Sequence, residues 1–174
     1  MSKQGIVILY TGDGKGKTTA ALGQAIRAVG HGLKICIIQF IKGKWETGEA
    51  LAAKNHLTEL VEFHTLGTGF TWKEEKGSVQ EAGRKAWEFA KETISSDKFD
   101  LVVLDELTYL VNYGIVDELE VIDLLQKRPA RQHVVITGRG ASQGIIKASD
   151  LATEMRAIKH PYENGIKAQK GVEF

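Results

Sequence analysis

The stretch Tyr10-Thr11-Gly12-Asp13-Gly14-Lys15-Gly16-Lys17-Thr18-Thr19 restricts the fold more than any other part of the chain. An apolar run, Gly5 to Tyr10, precedes it, and a segment of helical composition, Thr18 to Val29, follows. Strand, glycine-rich loop and helix together make the setting that a phosphate-binding loop requires. Backbone N–H groups of such a loop converge on phosphate oxygens, and the helix N-terminus adds its partial positive charge. In that arrangement Lys17 reaches phosphate as a point charge, and the Thr18 hydroxyl ligates Mg2+. One position departs from the general pattern: Thr11 stands where glycine is usual. A bare Gly-Lys-Ser/Thr arises by chance in roughly one chain in ten of this length, so the tripeptide alone decides nothing. The alternating glycines at 12, 14 and 16, the lysines at 15 and 17 and the flanking elements favour the loop over a solvated turn.

Apolar runs of strand length recur after it, at Lys34–Phe40, Leu60–His64, Leu101–Leu104 and His133–Thr137, with Ile6–Tyr10 as the first. They are nearly continuous in apolar and β-branched residues, as expected of parallel strands covered on both faces. Helix-like stretches lie between them: Thr18–Val29, a weaker one near Glu46–Asn55, Ser78–Ser95 and Val116–Gln126. In the third, Val79, Ala82, Ala86, Phe89, Ala90 and Thr93 form one apolar stripe. Such alternation predicts an α/β sheet with right-handed crossovers. Asn164-Gly165 between Met155–Tyr162 and Ile166–Val172 reads as a hairpin turn, so a C-terminal β-hairpin is expected at one edge. At 174 residues and 43% hydrophobic content, the whole chain, 1–174, reads as a single domain.

Leu101-Val102-Val103-Leu104-Asp105-Glu106 supplies the second half of a nucleotide site. Two acids follow a buried strand at its C-terminal end, the edge where open α/β sheets bind ligands. An acid there can hold Mg2+ beside the threonine of the phosphate loop, given a neighbouring loop strand. Gln39 closes the second strand, and Thr137-Gly138-Arg139-Gly140 closes the fifth. Arg139 reads either as a guanidinium forked onto phosphate or as a surface ion pair. The loop Leu66-Gly67-Thr68-Gly69-Phe70-Thr71-Trp72 reads either as an aromatic platform for a flat partner or as a satellite core.

Several function classes are disfavoured. With 23 basic against 22 acidic residues, no electrostatic footprint points to nucleic acid. The single cysteine, Cys36, lies in an apolar strand; it excludes an internal disulfide and a cysteine-built zinc site, and with it a zinc-ribbon nucleoside kinase. His31, His56, His64, His133 and His160 show no metal spacing and read as structural or exposed. No guanine-reading Asn-Lys-x-Asp occurs. No signal peptide or membrane span is apparent, and a cytoplasmic location is expected.

These motifs together resemble the phosphate-loop ATP:corrinoid adenosyltransferases. The resemblance runs through residues 10–19, where Thr11 is the family's usual residue, Arg27-Ala28-Val29-Gly30-His31-Gly32 and Gln39-Phe40-Ile41-Lys42-Gly43. It continues through Gly69-Phe70-Thr71-Trp72, Val103 to Tyr109, Ile136 to Gly140, and Lys159-His160 to Gly171. It implies a RecA-like phosphate-loop fold, with a mostly parallel sheet flanked by helices. It implies a reaction in which a reduced, cob(I) corrinoid attacks the 5′ carbon of ATP and releases triphosphate, in adenosylcobalamin synthesis or salvage. The nucleotide would lie reversed relative to ordinary ATPases. Gly12, Asp13, Gly14, Lys15, Gly16, Lys17, Thr18 and Thr19, with Arg139, would bind ATP, and Lys17 would offset charge on the leaving group. Thr18 and Glu106, with Asp105 nearby, would hold Mg2+ or Mn2+. Phe70 and Trp72 would crowd the lower face of the corrinoid. A homodimer and a flavoprotein electron donor are implied, with neither nucleic acid nor membrane as partner. Asp13 stands where relatives often have asparagine, so its carboxylate needs Mg2+ or Lys15 to offset it. Some members carry a polar N-terminal extension over the corrinoid; with the first strand opening near Gly5, none is expected here. The alternative is a RecA-like ATPase or nucleic-acid binding module, against which the near-neutral charge argues.

Overall fold

Runs without polar alternation become strands covered on both sides. The computed structural model describes residues 4–41, 47–57, 59–67 and 76–173. In chain order these form β1 (Val7–Thr11), α1 (Lys17–Val29), β2 (Ile35–Gln39), α2 (Gly48–His56), β3 (Val61–Thr65) and α3 (Lys76–Ser95). Then come β4 (Leu101–Asp105), α4 (Leu107–Asn112), α5 (Glu118–Lys127), β5 (His133–Thr137), α6 (Gln143–Ala148), β6 (Leu151–Glu154) and a 3₁₀ turn, Pro161–Asn164. The strands make one six-stranded sheet ordered β3-β2-β4-β5-β1-β6, and every pairing is parallel.

Successive strand residues face opposite sides, so each run feeds two cores. Ile8, Ile35, Ile37, Val103 and Val135 meet Ala21, Ala25 and Ala28 of α1. These alanines, three and four apart, let the helix approach the sheet closely and fix where its N-terminus emerges. On the other face Leu9, Ile38, Leu104 and Ile136 pack with Trp87, Ala90 and Ile94 of α3 and with Val121 and Leu125 of α5. Asp117 caps α5 by accepting from the Leu119 N–H at 2.7 Å, and Ser142 caps α6 through Ile145 N–H at 3.3 Å. Among the described residues no helix is long and apolar enough to cross a membrane.

Three expectations need correction. The sheet is entirely parallel among the described strands, and no C-terminal hairpin forms. Leu151–Glu154 instead adds to β1 in parallel, with Ile8 opposite Leu151 and Thr11 opposite Glu154. Asn164-Gly165 ends the 3₁₀ turn: Gly165 has φ 69°, and Pro161 opens the turn. The left-handed backbone that a hairpin needs is the same one that terminates a helix, so the dipeptide cannot distinguish them. Finally, the acid-bearing β4 is not beside the loop strand β1, because β5 lies between them.

Trp87 is fully buried and donates its indole N–H to Glu120 at 3.2 Å, tying α3 to α5. Trp87→Ala is expected to cost about 3–5 kcal/mol, read as a lowered midpoint in urea unfolding.

Candidate active site

Parallel register assembles a polar row across the C-terminal edge of the sheet. Thr65 pairs with Gln39 and Gln39 with Asp105, while Thr137 lies beside Tyr10. Side chains in register on adjacent strands share a face, so these groups meet. Gln39 Nε2 donates to Asp105 Oδ2 at 2.9 Å, and the Thr137 hydroxyl donates to Asp105 Oδ1 at 2.7 Å. Thr18, in the first turn of α1, donates its hydroxyl to the same Oδ1 at 2.8 Å. Asp105 is 1% exposed, so its burial is tolerable because three donors satisfy the carboxylate. Gln39 and Thr137, read from sequence only as strand ends, thus serve the acid.

The phosphate loop is shaped by the C-terminal segment as well as by its own glycines. Gly12 and Gly16 take φ of 95° and 115°, backbone that side chains rarely adopt. A Cβ on Gly12 would stand 2.4 Å from the Met155 carbonyl oxygen, and one on Gly14 would stand 2.7 Å from the Arg156 carbonyl carbon. Gly14 N–H donates to Met155 O at 2.7 Å, and Met155 N–H donates to Thr11 O at 2.8 Å. The residues after β6 therefore lie along the loop and hold it. Thr11 has a use of its own, since its hydroxyl accepts from Ala141 N–H at 3.3 Å and ties the loop to the exit of β5.

Lys17 folds back over this loop, donating to the carbonyls of Gly12 at 2.8 Å and Gly14 at 2.9 Å. Burial holds its pKa below the ordinary lysine value; the carboxylates of Glu106, Asp13 and Asp105 oppose that, and the Arg139 charge adds to it. Glu106 heads α4 with φ 65°, and its N–H donates to the Thr137 hydroxyl at 2.8 Å. Tyr109, one turn on, has its hydroxyl pKa raised by burial and then by Glu106. Lys15 pairs with Glu173 at 2.7 Å. A cavity of about 700 Å³ joins Asp13, Lys15, Lys17, Thr18, Glu106 and Arg139, with His160 and Glu173 on its C-terminal wall.

Gly12 to Thr19, Asp105, Glu106 and Arg139 are thus brought to one end of the sheet. Phe70 and Trp72 lie outside the described residues. Tyr109, His160 and Glu173 were not read as site residues. They are isolated polar side chains, and only the chain path brings them to the loop. A second cavity, about 910 Å³, opens at the opposite edge near His31 and His133. Arg131 is neutralised there by Asp97 at 3.0 Å and by Asp100, and the pocket offers no comparable charge to a ligand. Cys36 is fully buried, which pushes its thiol up to about 12 and makes it inert as a nucleophile.

Oxygen donors are what a hard cation selects. Thr18 and Glu106 present them beside the phosphate loop. Among the described residues no group of three or more His, Cys, Asp or Glu could enclose a metal.

Comparison with known proteins agrees with this geometry. The family model for ATP:corrinoid adenosyltransferases BtuR/CobO/CobP matches residues 3–174. A corrinoid adenosyltransferase of Escherichia coli K12 is 45% identical over 173 residues, covering 99% of this chain and 87% of that protein. The corrinoid adenosyltransferase CobA of Salmonella typhimurium is 44% identical over 173 residues, again 99% and 87%. One from Pseudomonas aeruginosa is 44% identical, covering 99% and 85%.

The depressed Lys17 pKa has a sign that can be checked. Its folded value lies below the unfolded one, so it costs stability at neutral pH, and the cost is relieved as pH rises through the lowered value. A polyphosphate anion beside the ammonium raises that pKa again. Binding of inorganic triphosphate at alkaline pH is therefore expected to take up protons and to weaken as pH rises. Calorimetry in buffers of different ionisation enthalpy reads the uptake, and Lys17→Met abolishes it.

Proposed function

The chain belongs to the ATP:corrinoid adenosyltransferase family and transfers the adenosyl group of ATP to a cob(I) corrinoid; from this premise we propose how its own residues do so. The observation that carries the proposal is the single cavity in which the phosphate loop, Glu106 and Arg139 converge. The nucleophile is the substrate's cobalt. It forms a bond to C5′ as the C5′–O bond breaks, and the electron pair leaves with triphosphate.

What remains for the protein is to hold the leaving group in line and to balance its growing charge. Residues Gly12 to Thr19 and Arg139 bind the triphosphate in this reading, with the nucleotide reversed so that C5′ faces out of the loop toward the corrinoid. Lys17 is held over the loop by the carbonyls of Gly12 and Gly14, which supports its role as the cation nearest the departing charge once phosphate oxygens take their place. Thr18 and Glu106 would hold Mg2+ or Mn2+, which would supply positive charge to offset that of the triphosphate. The Thr18 hydroxyl hydrogen is already committed to Asp105, which leaves the lone pairs of its oxygen to serve a cation. Both Asp105 oxygens accept hydrogen bonds, which supports a role in orienting Thr18 and Gln39 rather than in direct ligation.

Phe70 and Trp72 are proposed to displace the lower axial ligand of the corrinoid, easing the one-electron reduction that precedes transfer. A flavoprotein is the proposed class of donor. Homodimerisation stays a proposal carried by the resemblance. The interposed β5 supports placing the sheet in the RecA-like branch of phosphate-loop folds, with residues 1–174 as one adenosyltransferase domain.

Incubation with ATP, Mg2+ and chemically reduced cob(I)alamin is expected to give the absorbance of a cobalt–carbon product together with inorganic triphosphate. Orthophosphate release without that product would overturn the proposal. Asp105→Asn is expected to lower kcat by about 10- to 100-fold, since the amide nitrogen replaces one accepting oxygen and faces Gln39 Nε2, or else the Thr18 and Thr137 hydroxyls, donor to donor. Steady-state kinetics at saturating Mg2+ read the loss.

A further inference from the structure

Arg139 approaches the cavity on backbone that has little hold on itself. Gly138 before it has φ 141° and Gly140 after it has φ 61°, both in the region that only glycine adopts readily. The side chain is exposed. Yet its carbonyl is gripped from a different element. The Thr108 hydroxyl donates to Arg139 O at 2.7 Å, and Asn112 Nδ2 donates to the same oxygen at 3.1 Å. Thr108 and Asn112 are one turn apart on α4, so they present both donors on one helical face. Thr108 is 1% exposed, and its hydroxyl has no water to fall back on.

Gly138 shows how tightly the two segments meet. A Cβ there would stand 2.0 Å from the Thr108 hydroxyl oxygen, so this contact requires the glycine. A third bond crosses the same seam in the same direction, from Glu106 N–H to the Thr137 hydroxyl at 2.8 Å. The helix that begins at Glu106 is therefore fastened to the exit of β5 at both sides of Gly138.

We propose that Thr108 and Asn112 are positioning residues for Arg139: they clamp its carbonyl so that the guanidinium and the Glu106 carboxylate meet the triphosphate as one rigid unit. This rests on the reading of Arg139 as a triphosphate ligand. A guanidinium on two left-handed glycines would otherwise lose much of its effect to backbone freedom, and a fixed carbonyl removes that cost. Nothing in the sequence around Thr108 links it to Arg139, because the bond spans 31 residues.

The test compares Thr108→Val with Asn112→Ala, singly and combined, in the native and Arg139→Ala backgrounds. The measurements are the Kd for inorganic triphosphate, KM for ATP and kcat of the full-length protein with Mg2+. In the native background the combined variant is expected to weaken triphosphate binding and raise KM by about tenfold, and in the Arg139→Ala background to add less than about twofold. Thr108→Ser, which keeps the hydroxyl, is expected to restore triphosphate binding to within about twofold. Thermal unfolding verifies that each variant is folded. Equal losses in the two backgrounds would overturn the inference, as would unchanged triphosphate affinity in the combined variant while Arg139→Ala is impaired. An unimpaired Arg139→Ala removes the reading of Arg139 itself, and the clamp with it.

Discussion

A buried carboxylate at the end of the central sheet organises everything around it. Asp105 sits where water cannot reach, and such a group is stable only if protein donors replace its hydration. Those donors come from three other elements: Gln39 from β2, Thr137 from β5 and Thr18 from α1. Each hydrogen bond to a charged group is worth about 1.5–3 kcal/mol, and breaking one exposes the cost of the buried charge. The positions of strands and helix are thereby linked to one another at the edge where ligand binds. The apolar faces supply the bulk of the stabilisation but are tolerant of small slides. The carboxylate is not, because hydrogen bonds fail over a fraction of an ångström.

A second constraint comes from the chain's far end. The glycines of a phosphate loop are usually explained by the ligand's need to approach backbone. Here Gly12 and Gly14 are already required in the absence of any ligand, since side chains would strike Met155 and Arg156. The segment after β6 therefore sets the loop's shape in advance, and Lys17 satisfies the loop's inward carbonyls until an anion arrives. Such preorganisation lowers the entropy lost on binding. Lys15 is placed differently. Its partner is a carboxylate of the same tail, Glu173, so an incoming polyphosphate competes with a protein anion for that charge.

Most of the layers were legible because their physics is local. Continuous apolar runs gave β1 to β5, and the stripe from Val79 to Thr93 lies within α3. The phosphate loop, Asp105, Glu106 and Arg139 could be read as candidates because strand ends in parallel sheets carry chemistry, and the fold brings them to one edge. What escaped reading is non-local. Leu151–Glu154 is exposed at every position, has no apolar run and is a strand only because β1 offers an unpaired edge. Helices α4 and α6 are six residues each, too short for a period to declare itself. The insertion of β5 between β1 and β4 leaves no mark on either sequence. Nor could Thr108 be linked to Arg139, or Glu173 to Lys15, across such separations. The aromatic pair Phe70 and Trp72 stays an expectation of sequence, as those residues are not described.

The reaction explains why so much of this site is positional. Transfer to a cob(I) centre needs no side chain to attack, and Cys36, the one thiol, is buried with its pKa pushed up to about 12. The barrier that protein can lower is the charge that gathers on triphosphate as it departs whole. A single cation would serve that poorly, because the charge is spread over a long anion. Lys17 under the loop, Arg139 across the cavity and an oxygen-bound cation at Thr18 and Glu106 would span it from different directions. Their mutual repulsion is a real cost, visible in the way Arg139 lowers the Lys17 pKa. Only a rigid frame can keep like charges converged on one cavity, and the hydrogen bonds that meet at Asp105 and across Gly138 supply that frame.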